Sequence, residues 1–153
     1  MSGHLEIRCQ VADVFDAPGV SEMMAEYEQE CAVASLGGCR PSREIYERLE
    51  ASNLAECLSA WWDGQLAGFG FVVFSTLPHY GREFAVVESI YAAKWARMYG
   101  VGSELMRELE FAVKVRGCQE IFYSARVGSD FERLLKARRC YEHTNTTFCR
   151  SLR

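Results

Sequence analysis

Two apolar runs joined by an Asp-Gly step constrain this chain most: Cys57-Leu-Ser-Ala-Trp-Trp62, then Asp63-Gly64, then Leu66-Ala-Gly-Phe-Gly-Phe-Val-Val-Phe74. Asp-Gly accepts the left-handed backbone of a tight hairpin turn, so the runs are predicted to be antiparallel neighbours. A third run, Phe84-Ala-Val-Val-Glu-Ser-Ile-Tyr91, follows a loop containing Pro78 and Gly81 and extends the same sheet. Three adjacent strands with so much apolar surface need covering on both faces, which calls for helices in the flanking sequence.

The flanks supply them. Leu5-Glu-Ile-Arg-Cys9 alternates as a half-buried strand. Ser21 is placed to cap a helix through Met23, Met24, Tyr27 and Cys31, ended by Leu36-Gly-Gly-Cys39. Ser42 is placed to cap a second helix with Ile45, Tyr46 and Leu49 on its apolar face. Beyond Gly102, Leu105, Met106, Leu109, Ala112 and Val113 recur at helical spacing until Gly117. Glu120–Ser124 is predicted as a strand, Asp130–Arg138 as a short helix, and Tyr141–Leu152 as one or two closing strands. The resulting order, β-α-α-β-β-β-α-β-α-β, carries no linker or repeat. It gives one α/β (α+β) domain over residues 1–153, a mixed sheet flanked by helices.

Composition narrows the function classes. The 153 residues are 49% hydrophobic and 25% charged, with a formal net charge of -4, so no overall basic field exists to hold nucleic acid or an anionic membrane. No run approaches the ~20 apolar residues of a membrane span, and Met1–Cys9 lacks a charged segment leading into an apolar one, which points to a soluble, cytoplasmic protein. The seven cysteines are an odd set without a C-x-x-C pair or a ligand-spaced histidine. Neither zinc nor a disulfide framework is indicated, and Cys9, Cys57 and Cys118 beside apolar strand residues suit packed free thiols.

Arg97-x-x-Gly100-x-Gly102 lies between a strand and an amphipathic helix. A helix start leaves its first N–H groups without partners and carries partial positive charge, and glycine lets a ligand approach the backbone. Arg97 adds a donor for phosphate. The P-loop pattern and the dinucleotide G-x-G-x-x-G are both absent. An ordinary tight turn before a surface helix would have the same residues, so spacing alone leaves both open.

The segment Glu88-Ser-Ile-Tyr-Ala-Ala-Lys-Trp-Ala-Arg-Met-Tyr-Gly-Val-Gly-Ser-Glu-Leu-Met106 resembles the GNAT superfamily, whose acyl-CoA signature is [R/Q]-x-x-G-x-[G/A] between the fourth strand and third helix. Leu134–Tyr141 is similar to the family segment ending in Gly-Phe or Gly-Tyr, and the tail Thr144–Leu152 is similar to that of some small phage-encoded members. Resemblance covers about residues 56 to 152. It implies a mostly antiparallel sheet whose fourth and fifth strands splay apart to admit acetyl-CoA. The pantetheine arm would lie along Ile90 and Ala92, with the diphosphate on Arg97, Met98, Tyr99, Gly100, Val101, Gly102 and Ser103. The implied activity is acetyl transfer to a primary amine of a small molecule or protein, without a metal. The alternative is an acyl-CoA-binding sensor that transfers nothing.

An amine attacks a thioester only when neutral, so a base is needed. Glu88 is the carboxylate within the apolar Val86–Ile90 stretch, where burial would make it a stronger base, and some relatives place a glutamate there. Its other reading is a residue on the solvent face. The family's usual acid, a tyrosine five residues before Gly-Phe, is Lys136 here; the helix-start asparagine is Ser129; and the Gly of Gly-Phe is Cys140. Tyr91, Tyr123 or Tyr141 would have to protonate the thiolate, or it leaves unaided. His79, with Tyr80 beside it in the Pro78–Gly81 loop, stands where an acceptor could enter, or else faces solvent. Trp61 and Trp62 point to opposite sheet faces, which leaves one of them for a helix, an acceptor or the partner of a homodimer.

Overall fold

The structure is a computed structural model, and it describes residues 3–33 and 36–152. Its sheet has five strands in sequential order: β1 (Leu5–Arg8), β2 (Ala55–Trp62), β3 (Gln65–Leu77), β4 (Arg82–Ala92) and β5 (Ile121–Tyr123). The first four pair antiparallel and β5 joins β4 in parallel. The Asp63-Gly64 step is the hairpin turn, with φ of 48° and 80° at its two residues.

Strand alternation sorts the helices. Phe69 and Phe71 of β3 face one side, where α1 (Val11–Phe15), α2 (Val20–Cys31) and α3 (Arg43–Ala51) bring Tyr27 against Phe69 and Phe15 and Tyr46 against Phe71. Gly68 and Gly70 face the other side, where α4 (Val101–Val115) settles. A Cβ at Gly68 would lie 2.8 Å from Leu105 Cδ1, and one at Gly70 would lie 2.7 Å from Leu109 Cδ1. The missing side chains are what let α4 bury Leu105 and Leu109 completely against the sheet. At the far end of α4, the Arg116 guanidinium donates to both oxygens of Glu83 and covers the ring of Phe74.

Two irregularities shape β4. Phe71 pairs with Ser89 but Val72 pairs with Val87, so Glu88 is an extra residue bulged out of the β3–β4 ladder. On the other edge, β5 meets β4 only from Ala85 to Val87, and α5 (Asp130–Ala137) follows. Past Val87 the two strands part, leaving a cleft along the second half of β4. No helix among the described residues is long and apolar enough to cross a membrane.

Four local expectations need correction. Ser21 caps nothing, because the chain turns at left-handed Gly19 and α2 begins one residue earlier, at Val20. Residues 11–15 form a short helix that the sequence pattern missed. Cys9 is exposed, although Cys57 and Cys118 are buried as expected. Tyr141–Leu152 forms no strand: the segment has no regular structure and its apolar members Phe148 and Leu152 are exposed. Alternation in this tail is a weak signal that no neighbouring ladder enforces.

Candidate functional site

The cleft is framed by β4 and α4 on one side and by β5 and α5 on the other, with residues of α2 and α3 also lining it. Its floor is the free edge of β4. The N–H of Ala93 donates to Ala67 on β3, and successive residues point their backbone groups to alternate edges. The amide and carbonyl groups of Ala92 and Ile90 therefore aim away from β3, where β5 no longer covers them. Arg97 Nε confirms this direction by donating to the Ala92 carbonyl at 3.0 Å.

At the end of β4 a 3-10 turn (Lys94–Tyr99) leads into α4. Gly100 caps both elements with φ 78°, a left-handed conformation that a side chain would strain. The first helical bond runs from Glu104 N to the Gly100 carbonyl, which leaves the N–H groups of Val101, Gly102 and Ser103 without helical partners. Gly102 lies against Ala92, since a Cβ there would sit 3.6 Å from the Ala92 Cβ. A cation that sequence spacing did not reveal stands at the same point: Arg138, just after α5, donates to Ser103 Oγ at 2.9 Å. Helix start, left-handed glycine and guanidinium together form a cradle for an anion.

Arg97 is engaged differently from the expectation. Its Nη2 donates to Glu30 Oε2 at 2.7 Å and its guanidinium covers the ring of Tyr91, so it braces α2 against the end of β4. Ile90, Ala92, Arg97, Gly100, Gly102 and Ser103 all line the cleft. The side chains of Met98, Tyr99 and Val101 do not: Met98 is 80% exposed, Tyr99 stacks on Trp62 at 4.6 Å, and Val101 is in the core. That stack covers Trp62 within the chain, and Trp61 is buried, so neither tryptophan calls for a partner subunit.

Glu88 and Tyr91 both reach the cleft but in unexpected states. Glu88 is exposed rather than buried, because the bulge carries it out of the ladder and no strand lies beyond. Its Oε2 accepts a hydrogen bond from the Tyr46 hydroxyl at 2.7 Å, a partner from α3 that sequence reasoning had assigned to an apolar face. Burial first, then the Glu88 hydrogen bond, pushes the Tyr46 phenol well above its ordinary value. Tyr91 is 3% exposed, and its hydroxyl donates to Glu26 and Glu30 of α2. Burial and then the Glu26 hydrogen bond push its phenol up too, which leaves it a poor proton donor.

Across the cleft, Tyr123 and Tyr141 both donate to Glu110 Oε1, at 3.2 and 2.6 Å, and burial followed by that hydrogen bond pushes Tyr141 up to about 12. Lys136 is exposed on α5 and paired with Glu132. His79 and Tyr80 sit in the exposed turn between β3 and β4, and neither lines the cleft.

The family profile for acetyltransferase (GNAT) matches residues 21–144. The chain belongs to this family. The GNAT fold is also what solved structures share with it. A ribosomal-protein-alanine N-acetyltransferase from Brucella melitensis biovar Abortus superposes with a TM-score of 0.71 at 23% identity, over 97% of this chain and 99% of the other. An aminoglycoside acetyltransferase from an uncultured soil metagenomic sample, in complex with sisomicin, gives 0.74 at 15% identity, over 97% of each chain. A predicted acetyltransferase from Clostridium acetobutylicum, solved with acetyl-CoA, gives 0.70 at 14% identity, again over 97% of each. No curated protein sequence matches. In this GNAT domain β4 and β5 part beyond Val87, and Glu88, Tyr46, Glu30 and Arg138 stand around the cleft they leave.

Proposed function

We propose that the chain is an acetyl-CoA-dependent N-acyltransferase that acylates a primary amine. The observation that carries this is the continuity between the anion cradle at Gly100–Ser103 and the bare edge of Ile90 and Ala92, which leads straight to Glu88. The diphosphate belongs on the N–H groups of Val101, Gly102 and Ser103, with Arg138 beside them, and the pantetheine amides on the free edge of β4. The thioester then reaches the point where β4 bulges.

There the amine nitrogen attacks the thioester carbonyl, the C–S bond breaks, and coenzyme A leaves as its thiolate. Before the attack one proton of the ammonium passes to Glu88, directly or through water, while Tyr46 holds that carboxylate in place; the second, shed by the nitrogen as the amide forms, goes through water to the departing thiolate. Tyr46, Tyr91 and Tyr123 all hold their protons tightly, so the thiolate leaves without a strong internal acid. The test is acetyl-CoA binding by calorimetry together with coenzyme A release across a panel of amines. Binding and release support the proposal. Binding without release from any amine favours an acyl-CoA sensor, which the exposed, ion-paired Lys136 at the usual acid position would also suit.

A further inference from the structure

The part of the cleft next to α3 carries a carboxylate without an ion-pair partner. Among the described residues, Glu88 is in no ion pair, and the Tyr46 hydroxyl is its hydrogen-bond donor. This contrasts with Glu30, whose carboxylate is shared between Arg97 and Lys94. Around Glu88 the walls are apolar: Tyr46 is stacked on Phe71 at 4.2 Å, Tyr27 sits edge-on to Phe69 at 5.6 Å, and Ile45 is half exposed at the mouth. Three neighbouring groups feel the negative field of Glu88. Tyr27, Tyr46 and Cys39 are each pushed up by burial first and then by acidic neighbours that include Glu88, and no cation relieves any of them. Arg40, on the exposed loop after α2, lines the same cleft but is neither hydrogen-bonded nor ion-paired to Glu88.

We infer that the acceptor is a cationic amine carried on an apolar or aromatic arm and bearing no anionic group next to the amine, with its ammonium docking on Glu88 and its arm lying against Tyr27 and Tyr46. Glu88 is an exposed carboxylate beside apolar rings and in no ion pair, so an ammonium can donate a charge-assisted hydrogen bond to it while its arm covers the rings. The two phenol rings add a cation–π surface for the same group and apolar area for the arm. A carboxylate or phosphate close to the amine would instead be brought against Glu88, with which no cation is paired among the described residues. The inference rests on the acyl-transfer proposal for its chemistry but makes a claim about recognition that can fail separately.

Three small probes test it by calorimetry on the coenzyme A-bound chain near neutral pH: phenethylamine, phenylalanine, and phenethyl alcohol. Phenethylamine is expected to bind at least about tenfold tighter than phenylalanine, which adds a carboxylate, and than phenethyl alcohol, which lacks the charge. Glu88→Gln should remove that preference and leave the alcohol unaffected, while Glu88→Asp, which restores the charge, should keep it. Phenylalanine binding as well as phenethylamine, or a preference that survives Glu88→Gln, overturns the inference. So does absence of phenethylamine binding, even if other amines release coenzyme A. Selective phenethylamine binding with no coenzyme A release upholds the recognition site and overturns the transfer step alone.

Discussion

The Arg97 guanidinium donates to Glu30 Oε2 at 2.7 Å and to the Ala92 carbonyl at 3.0 Å, so the cation of the family motif is already spent inside the chain. Both partners are partly exposed, which makes the pair weak enough for a diphosphate to compete with it. Glu30→Gln should free Arg97 and tighten acetyl-CoA by about two- to fivefold, whereas Arg138→Gln should weaken it by about tenfold. Calorimetric titration of both variants checks this, and an unchanged Arg138→Gln would move the diphosphate away from Ser103.

The cradle at the start of α4 predicts that acetyl-CoA raises the melting temperature, since it binds the folded chain. Gly102→Val should abolish that rise with little loss of intrinsic stability, because a Cβ there makes only an ordinary contact with Ala92. Gly100→Val should abolish it and also lower the starting melting temperature, through the positive φ. An undiminished ligand shift in both variants would exclude this turn from the site.

At the bulge, Glu88→Gln keeps the shape and the hydrogen bond to Tyr46 but removes the base. Turnover should fall about 10²- to 10⁴-fold at neutral pH with acetyl-CoA affinity unchanged, and should recover partly as pH rises and free amine forms unaided. Tyr46→Phe should retain the stack on Phe71 and cost turnover only about three- to tenfold, as expected for a residue that positions the carboxylate. Steady-state rates from pH 6 to 9 distinguish the two variants.

Stability should fall at alkaline pH. Burial raises Tyr27, Tyr46, Tyr91 and Tyr123, and pushes Tyr141 up to about 12. A folded value above the unfolded one favours the neutral phenol in the native state. This contribution is complete below the unfolded value of about 10 and is lost as pH rises through the folded one. Tyrosinate absorbance should therefore show five of the seven tyrosines ionising late and together with loss of helix signal. Five early, independent ionisations would contradict the burial.

Close approach of α4 to the sheet predicts unequal costs at two glycines. A Cβ at Gly68 would meet the Tyr91 carbonyl at 2.6 Å, and backbone cannot move aside. At Gly70 the clash is with the end of the Leu109 side chain, which can rotate. Gly68→Ala should cost about 1–3 kcal/mol and Gly70→Ala less, as read by denaturant unfolding at matched m-values.

The sequence by itself determined the hairpin, the three central strands, the amphipathic α4 and the glycine turn before it, because each is written in periodicity or in residues with special backbone freedom. It also carried the family, through a contiguous motif whose strand and helix neighbours are local. What it did not carry are relations between residues distant along the chain. Tyr46 was legible as an apolar-face residue of α3, yet tertiary packing alone turns its hydroxyl onto Glu88, 42 positions away. Arg97 was legible as a phosphate donor, but α2 brings Glu30 to it across 67 positions. Whether Glu88 was buried depended on where β5 ends, since a fourth residue pair, next after Val87, would have covered it and the parted strands do not. Charges are satisfied by whichever partner the fold delivers, and burial is set by the neighbours of an edge. Only the assembled sheet could decide that the carboxylate at the bulge stands open and is held by one phenol.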